Sequence, residues 1–260
     1  MSIYQSLSAS RRLQVGMSLI ELMIAMTIGL ILMFAVGNIM IGSRQSNQVN
    51  DGLARMQENA RFAMQLLKRD LRSAGLVQTA ALEGLEVFGD RANALTVHAA
   101  VTVPPANTAG DVLVVQFEGT TDCTGGGGVA FSGTTLVVNR YRVDSTNSTL
   151  RCLGNGGGVG EQELLEGIER MEVQYGIDND ANGQANFYQS PGNVIATDWP
   201  NVVSIRIGLM VNSVNAINEL PVNANAYYLL DSGQMGPFSD RVLRQIYITT
   251  VTMRNRMQIN

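Results

Sequence analysis

Arg11-Arg12-Leu13-Gln14-Val15-Gly16 runs directly into Met17-Ser18-Leu19-Ile20-Glu21-Leu22-Met23-Ile24-Ala25-Met26-Thr27-Ile28-Gly29-Leu30-Ile31-Leu32-Met33-Phe34-Ala35-Val36-Gly37-Asn38-Ile39-Met40-Ile41. Residues 17–41 carry one charged side chain, Glu21. A run of about 20 apolar residues suffices to cross a bilayer as a helix, so this segment reads as membrane-spanning. Arg11 and Arg12 ahead of it favour a cytoplasmic N-terminus. Glu21 is the anomaly. An ionised residue inside a bilayer costs roughly 3 kcal/mol on insertion scales, and such residues are usually paired and functional. Two plainer readings compete. One is an ordinary signal-anchor with an incidental Glu21. The other is a secretory signal cut near Ala35-Val36-Gly37, but a secretory apolar region is about 7–15 residues long, shorter than this run.

The helical pattern continues past the apolar run. Val49, Leu53, Met56, Ala60, Met64, Leu67 and Leu71 recur in steps of three, four and seven, which places them on one stripe. Arg44, Asp51, Arg55, Glu58, Arg61, Lys68 and Arg72 lie on the opposite face. Ala74-Gly75 supplies a glycine stop. A helix from Met17 to Ala74 would be about 85 Å long, apolar all round in its first half and amphipathic in its second. A coiled-coil dimer is the rival for the second half, and Gly42 and Gly52 interrupt any sustained heptad.

Beyond Leu85 the pattern turns to short β-like runs, 95–101, 111–118, 134–144 and 150–153, separated by Pro104-Pro105 and glycine runs. Met171, Val173, Tyr175 and Ile177 alternate with other residues at period two, as do Val203, Ile205, Ile207, Leu209 and Val211. A short helical turn is expected near 239–243, before a last strand at 245–254. The expected fold is α+β: a long N-terminal helix packed on a mainly antiparallel sheet.

Gly16, the apolar run and Glu21 in fixed register resemble the class III signal of type IV prepilins and type II secretion pseudopilins. The large head, the cysteine pair beside glycine-rich loops, and the terminal Thr250-Val251-Thr252-Met253-Arg254-Asn255 strand look like the PilW-type minor pilins. The resemblance implies a pilin-like fold with a leader at 1–16, a membrane and filament-core helix segment at 17–41, an amphipathic segment at 42–75 and a head at 76–260. It implies that a prepilin peptidase cuts between Gly16 and Met17 and methylates the new N-terminus, and that Glu21 serves assembly. The family's first mature residue is usually Phe; here it is Met17.

The whole chain carries a net charge of −4, and loss of residues 1–16, with two arginines and no acid, leaves −6. That balance gives no electrostatic case for broad nucleic-acid binding. Cys123 and Cys152 lie in the part beyond the membrane. An oxidising periplasm would close them into a structural disulfide, and two buried free thiols are the alternative. Asp178, Asp180 and Asn182, followed by Gly183, match the first half of a calcium loop. The twelfth position is Gln189 where a bidentate Glu is needed, so the segment reads as a solvated hairpin turn or a weak calcium site.

No catalytic set is visible. His98 is the only histidine and sits in an apolar run, the glycine runs lack a following lysine, and Glu161, Glu163 and Glu166 read as a solvated face on a polar connector. The expected protein is therefore a structural subunit rather than an enzyme, with no cofactor unless calcium. By resemblance it is held in the inner membrane by one span, N-terminus cytoplasmic and head periplasmic, before entering an extracellular pilus near its tip. There it would serve adhesion and twitching motility. Its partners would be the peptidase, other minor pilins, the major pilin and a tip adhesin. A J-type secretion pseudopilin and a DNA-binding competence pilin are the alternatives, with a tethered enzyme behind them.

Overall fold

The computed structural model describes residues 17–75, 95–97, 108–131, 134–156, 160–195, 197–217 and 220–253. The leader with Gly16, His98, and Arg254-Asn255 lie outside these. The chain divides into two compact units, Met1–Gln48 and Val49–Asn260.

Helix α1 spans Leu19–Ser73. It contains no proline, and Gly75 ends it at φ 72°, a left-handed backbone that only glycine adopts without a Cβ clash. The Gly75 N–H then donates to the Gln116 carbonyl at 3.0 Å. In the first unit the described helix residues are exposed, apart from half-buried Gly37. Thr27 turns its hydroxyl back onto the Ile24 carbonyl at 2.8 Å, so this polar group is satisfied within the apolar segment.

In the second unit α1 buries Met56, Ala60, Ala63, Met64, Leu67, Asp70 and Leu71. The first set of strands is β1 (Leu95–Val97), β2 (Leu113–Glu118), β3 (Val129–Phe131), β4 (Thr134–Asp144), β5 (Thr149–Gly154) and β6 (Gln162–Glu166). They form one sheet in the order β1-β2-β4-β5-β6, with β3 also on β4. Strands β7 (Ile168–Ile177), β8 (Phe187–Gln189), β9 (Val202–Asn212) and β12 (Arg244–Thr252) form a second, ordered β12-β9-β7-β8. A small ribbon pairs β10 (Tyr227–Tyr228) with β11 (Gln234–Met235). Every strand pair among the described residues is antiparallel.

One core joins all three layers. It takes in the α1 stripe, Leu113, Val115, Tyr141, Val143 and Leu150 of the first sheet, and Met171, Val173, Ile205, Ile207 and Leu209 of the second. Each such side chain contributes about 1.5–3 kcal/mol when fully buried. Ahead of β2, Gly110 bridges to Met171 of β7 at φ 83°; a Cβ there would run into the Met171 carbonyl.

Two sequence expectations are corrected. No helical turn forms at 239–243. Its backbone groups bond outward instead: Asn223 N–H donates to the Asp240 carbonyl, Ile217 N–H to that of Arg241, and Ser213 N–H to that of Leu243. The connector with three glutamates is also different. Glu163 and Glu166 lie in β6, and Glu161 is no solvated carboxylate, because it binds both Arg142 and Arg151.

Candidate functional site

Met17 precedes α1, 68% exposed, and Glu21 lies in the first helical turn, also exposed. A carboxylate there complements the positive end of the helix dipole. Around it Leu19, Ile20, Leu22, Met23 and Ile24 are exposed, and the exposure of large apolar side chains continues to Ile41. An apolar surface of this extent calls for lipid or other protein chains around it. α1 is the one helix among the described residues long and apolar enough to cross a membrane. Glu21 is the one anionic group of this apolar segment and stands near its start.

The head is fixed to α1 through a buried polar node that sequence reading missed. Asp70 Oδ2 accepts the Asn139 side-chain amide at 2.6 Å and the Tyr141 hydroxyl at 2.5 Å. Arg69, 67% exposed, donates to the other oxygen at 3.0 Å. Burial, and then the negative charge of Asp70, hold the Tyr141 phenol well above its ordinary pKa. Asn139 in turn accepts the Cys123 N–H through its side-chain oxygen at 2.9 Å. The available signal was positional: Asp70 stands three residues after Leu67, on the apolar stripe.

Cys123 and Cys152 form a disulfide, with Cα atoms 6.3 Å apart. Beside it Asp122 gathers the glycine-rich loops. Its carboxylate accepts the N–H groups of Thr124 and Gly126 at 2.9 Å and of Gly156 at 2.8 Å, and the Thr124 hydroxyl at 2.7 Å. Burial works against the charge, but these donors together hold the Asp122 pKa below the usual carboxylate value. A Cβ at Gly154 or Gly156 would collide with this carboxylate, which is why glycine stands at both.

Asp178, Asp180 and Asn182 meet on the loop between β7 and β8. Their oxygens accept loop donors: Asp178 takes the N–H groups of Asp180, Asn182 and Gly183, Asp180 takes the amides of Asn182 and Asn186, and Asn182 takes the Gln184 N–H. Among the described residues no group of three or more His, Cys, Asp or Glu is arranged to hold a metal. A shallow cavity of about 310 Å³ is lined by Ser145, Ser148, Glu169, Arg170 and Phe238, among others. Its charged groups are engaged, Glu169 with Arg244 and Asn212, and Arg170 with Glu172.

Residues 135–255 match the family described as Type IV Pilus-assembly protein W, and residues 11–37 match the prokaryotic N-terminal methylation motif. A type IV-like pilin from Thermus thermophilus is 15% identical, with 78% of this chain and 98% of that one covered and a TM-score of 0.48. Curated proteins give no match. The methylation motif spans the leader end, Gly16, Met17 and Glu21, and the assembly domain spans most of both sheets. That motif ahead of that domain on one chain supports a type IV pilus minor pilin of the PilW type.

Proposed function

We propose that this chain helps to initiate a type IV pilus and sits at or near its tip, where it serves adhesion and twitching motility. Residues 1–16 are the leader, 17–41 the membrane and filament-core segment, 42–75 the amphipathic segment and 76–260 the head. A prepilin peptidase cuts after Gly16 and methylates Met17. The head faces the periplasm until other minor pilins and the major pilin take the helix out of lipid. Glu21 then pairs with the α-amine of a neighbouring subunit. The observation that carries this reading is the exposed apolar start of α1, with Glu21 in its first turn, on a chain whose second unit has a buried core and a disulfide.

The test is the intact mass of the protein purified from membranes. A chain beginning at methylated Met17 is expected, and Gly16 replaced by a bulky residue should leave full-length precursor. Retention of residues 1–16 in the unaltered protein would end the processing reading. Deletion of the gene is expected to remove surface pili; loss of protein export with pili intact would instead favour a secretion pseudopilin.

A further inference from the structure

We infer that the outer edge of β12 receives an extended segment of a different pilus subunit as an added antiparallel strand, uncharged along its paired length and flanked by acidic residues. This rests on the reading of the chain as a pilus subunit.

β12 ends its sheet, and it pairs with β9 in unbroken register from Arg244 opposite Asn212 to Thr252 opposite Ser204. Just past the strand, Met253 N–H donates to the Val203 carbonyl at 2.8 Å. Backbone groups alternate in direction along an antiparallel strand, so odd-numbered residues of β12 bond to β9. The N–H and C=O groups of Ile246, Ile248 and Thr250 therefore point to the open side. Among the described residues no strand takes them.

Sheets commonly guard such an edge with charge, proline, a bulge or shortness. The opposite end of this sheet is guarded by shortness, because β8 has three residues. β12 has nine, with no bulge and no proline. Its one charged residue, Arg244, is turned inward, with a side chain 5% exposed and held by Glu169 and Asp240. What remains, Gln-Ile-Tyr-Ile-Thr-Thr-Val-Thr, is uncharged and rich in β-branched residues, and Ile248 is 52% exposed. A segment of that composition on an open edge pairs with whatever strand meets it.

Charge selects the occupant. Arg241 stands just before the strand in the sequence and Arg254 and Arg256 just after it, so two copies pairing antiparallel would bring basic ends together. A segment from another subunit with acidic flanks meets no such repulsion. Antiparallel addition follows the pattern of every other strand pair in the head and is the stronger pairing per residue.

The experiment places a photo-crosslinking residue at position 250 of the full-length chain, in cells carrying its pilus genes, with a second probe at position 30 in α1. The expected product at 250 is an adduct whose peptide maps to an extended stretch of another pilus subunit. Ile248→Pro removes an outward N–H and no bond to β9; Ile248→Lys adds a guarding charge to an exposed side chain. Both should keep the disulfide and the membrane level yet lose the adduct. An adduct to a second copy of this chain overturns the proposal, as does an adduct that survives in both variants. Silence at 250 with pilin adducts at 30 overturns the edge proposal and leaves the subunit reading standing. Silence at both overturns both.

Discussion

Asp70 carries more of the head's geometry than its place on a helix suggests, because its carboxylate is the shared acceptor for two buried donors from β4. Replacing it by Ala leaves the Asn139 amide and the Tyr141 hydroxyl without that acceptor. A buried donor left unsatisfied costs about 1–3 kcal/mol, so Asp70→Ala should lower unfolding free energy by about 2–4 kcal/mol in urea titrations of the detergent-solubilised chain. Arg69→Ala removes a mostly exposed partner and should cost under about 1 kcal/mol. Equal losses from the two variants would show that the node is not the anchor described. Glu172 gives a pH signature. Burial, and then the charge of Asp111, push its carboxyl up to about 7. A carboxyl raised on folding contributes stability that is complete below its ordinary value near 4.5 and is lost as pH rises through about 7. The head should therefore weaken as pH rises from about 4.5 to about 7, by at most about 1.4 kcal/mol per pH unit for one proton, and level off above that. Glu172→Gln should flatten that slope, and an unchanged slope would assign it to other groups.

At the scale of elements, the disulfide and the Asp122 cradle hold the same pair of loops by different means. The cross-link acts mainly on the unfolded chain: closing a separation of 29 residues contributes roughly 3–4 kcal/mol in the chain-entropy model. Cys123→Ser with Cys152→Ser should cost about that much in thermal or urea unfolding. Gly156→Ala acts on the folded loops, where its Cβ meets Asp122 and the Gly127 carbonyl, and it should destabilise with the disulfide still formed. If Gly156→Ala is neutral, the close approach is not needed. Elements built on local periodicity were legible in the sequence. Met56 to Leu71 kept a helical stripe, Gly75 kept its stop, and β7 and β9 kept period two because their alternate apolar residues enter the shared core, although β9 is buried on both faces. What was not legible depends on distant partners. Glu161 reads as solvent-facing until β4 and β5 bring Arg142 and Arg151 to it. Residues 239–243 read as a turn of helix until the 213–223 segment takes their carbonyls. The outward edge of β12 needs the sheet order, which no local pattern contains.

At the scale of the whole molecule, the proposed function has one chain live first in lipid and later among other subunits, which makes Glu21 the residue whose environment would change most. Leaving the bilayer exchanges acyl contacts around the apolar start of α1 for contacts with neighbouring helices, a nearly even exchange for apolar groups. Under that proposal the carboxylate needs a cation, and the α-amine that processing would create at Met17 of a neighbour supplies it. The peptidase would meet Glu21 before any neighbour is present, so the charge should matter to assembly and not to cutting. Glu21→Ala should give a chain of the processed mass that stays in the membrane. The anchor itself should not weaken, since removing an ionised group lifts an insertion penalty of roughly 3 kcal/mol. In sheared pili the variant should fall well below its ordinary ratio to the major subunit. Blocking the new N-terminus with a bulky neutral group should produce the same loss. A subunit at the tip has neighbours on one side only, so the deficit should be smaller than for the same change in the major subunit. Glu21→Ala recovered in sheared pili at the full ratio would sink the pairing and leave Glu21 without an assembly role.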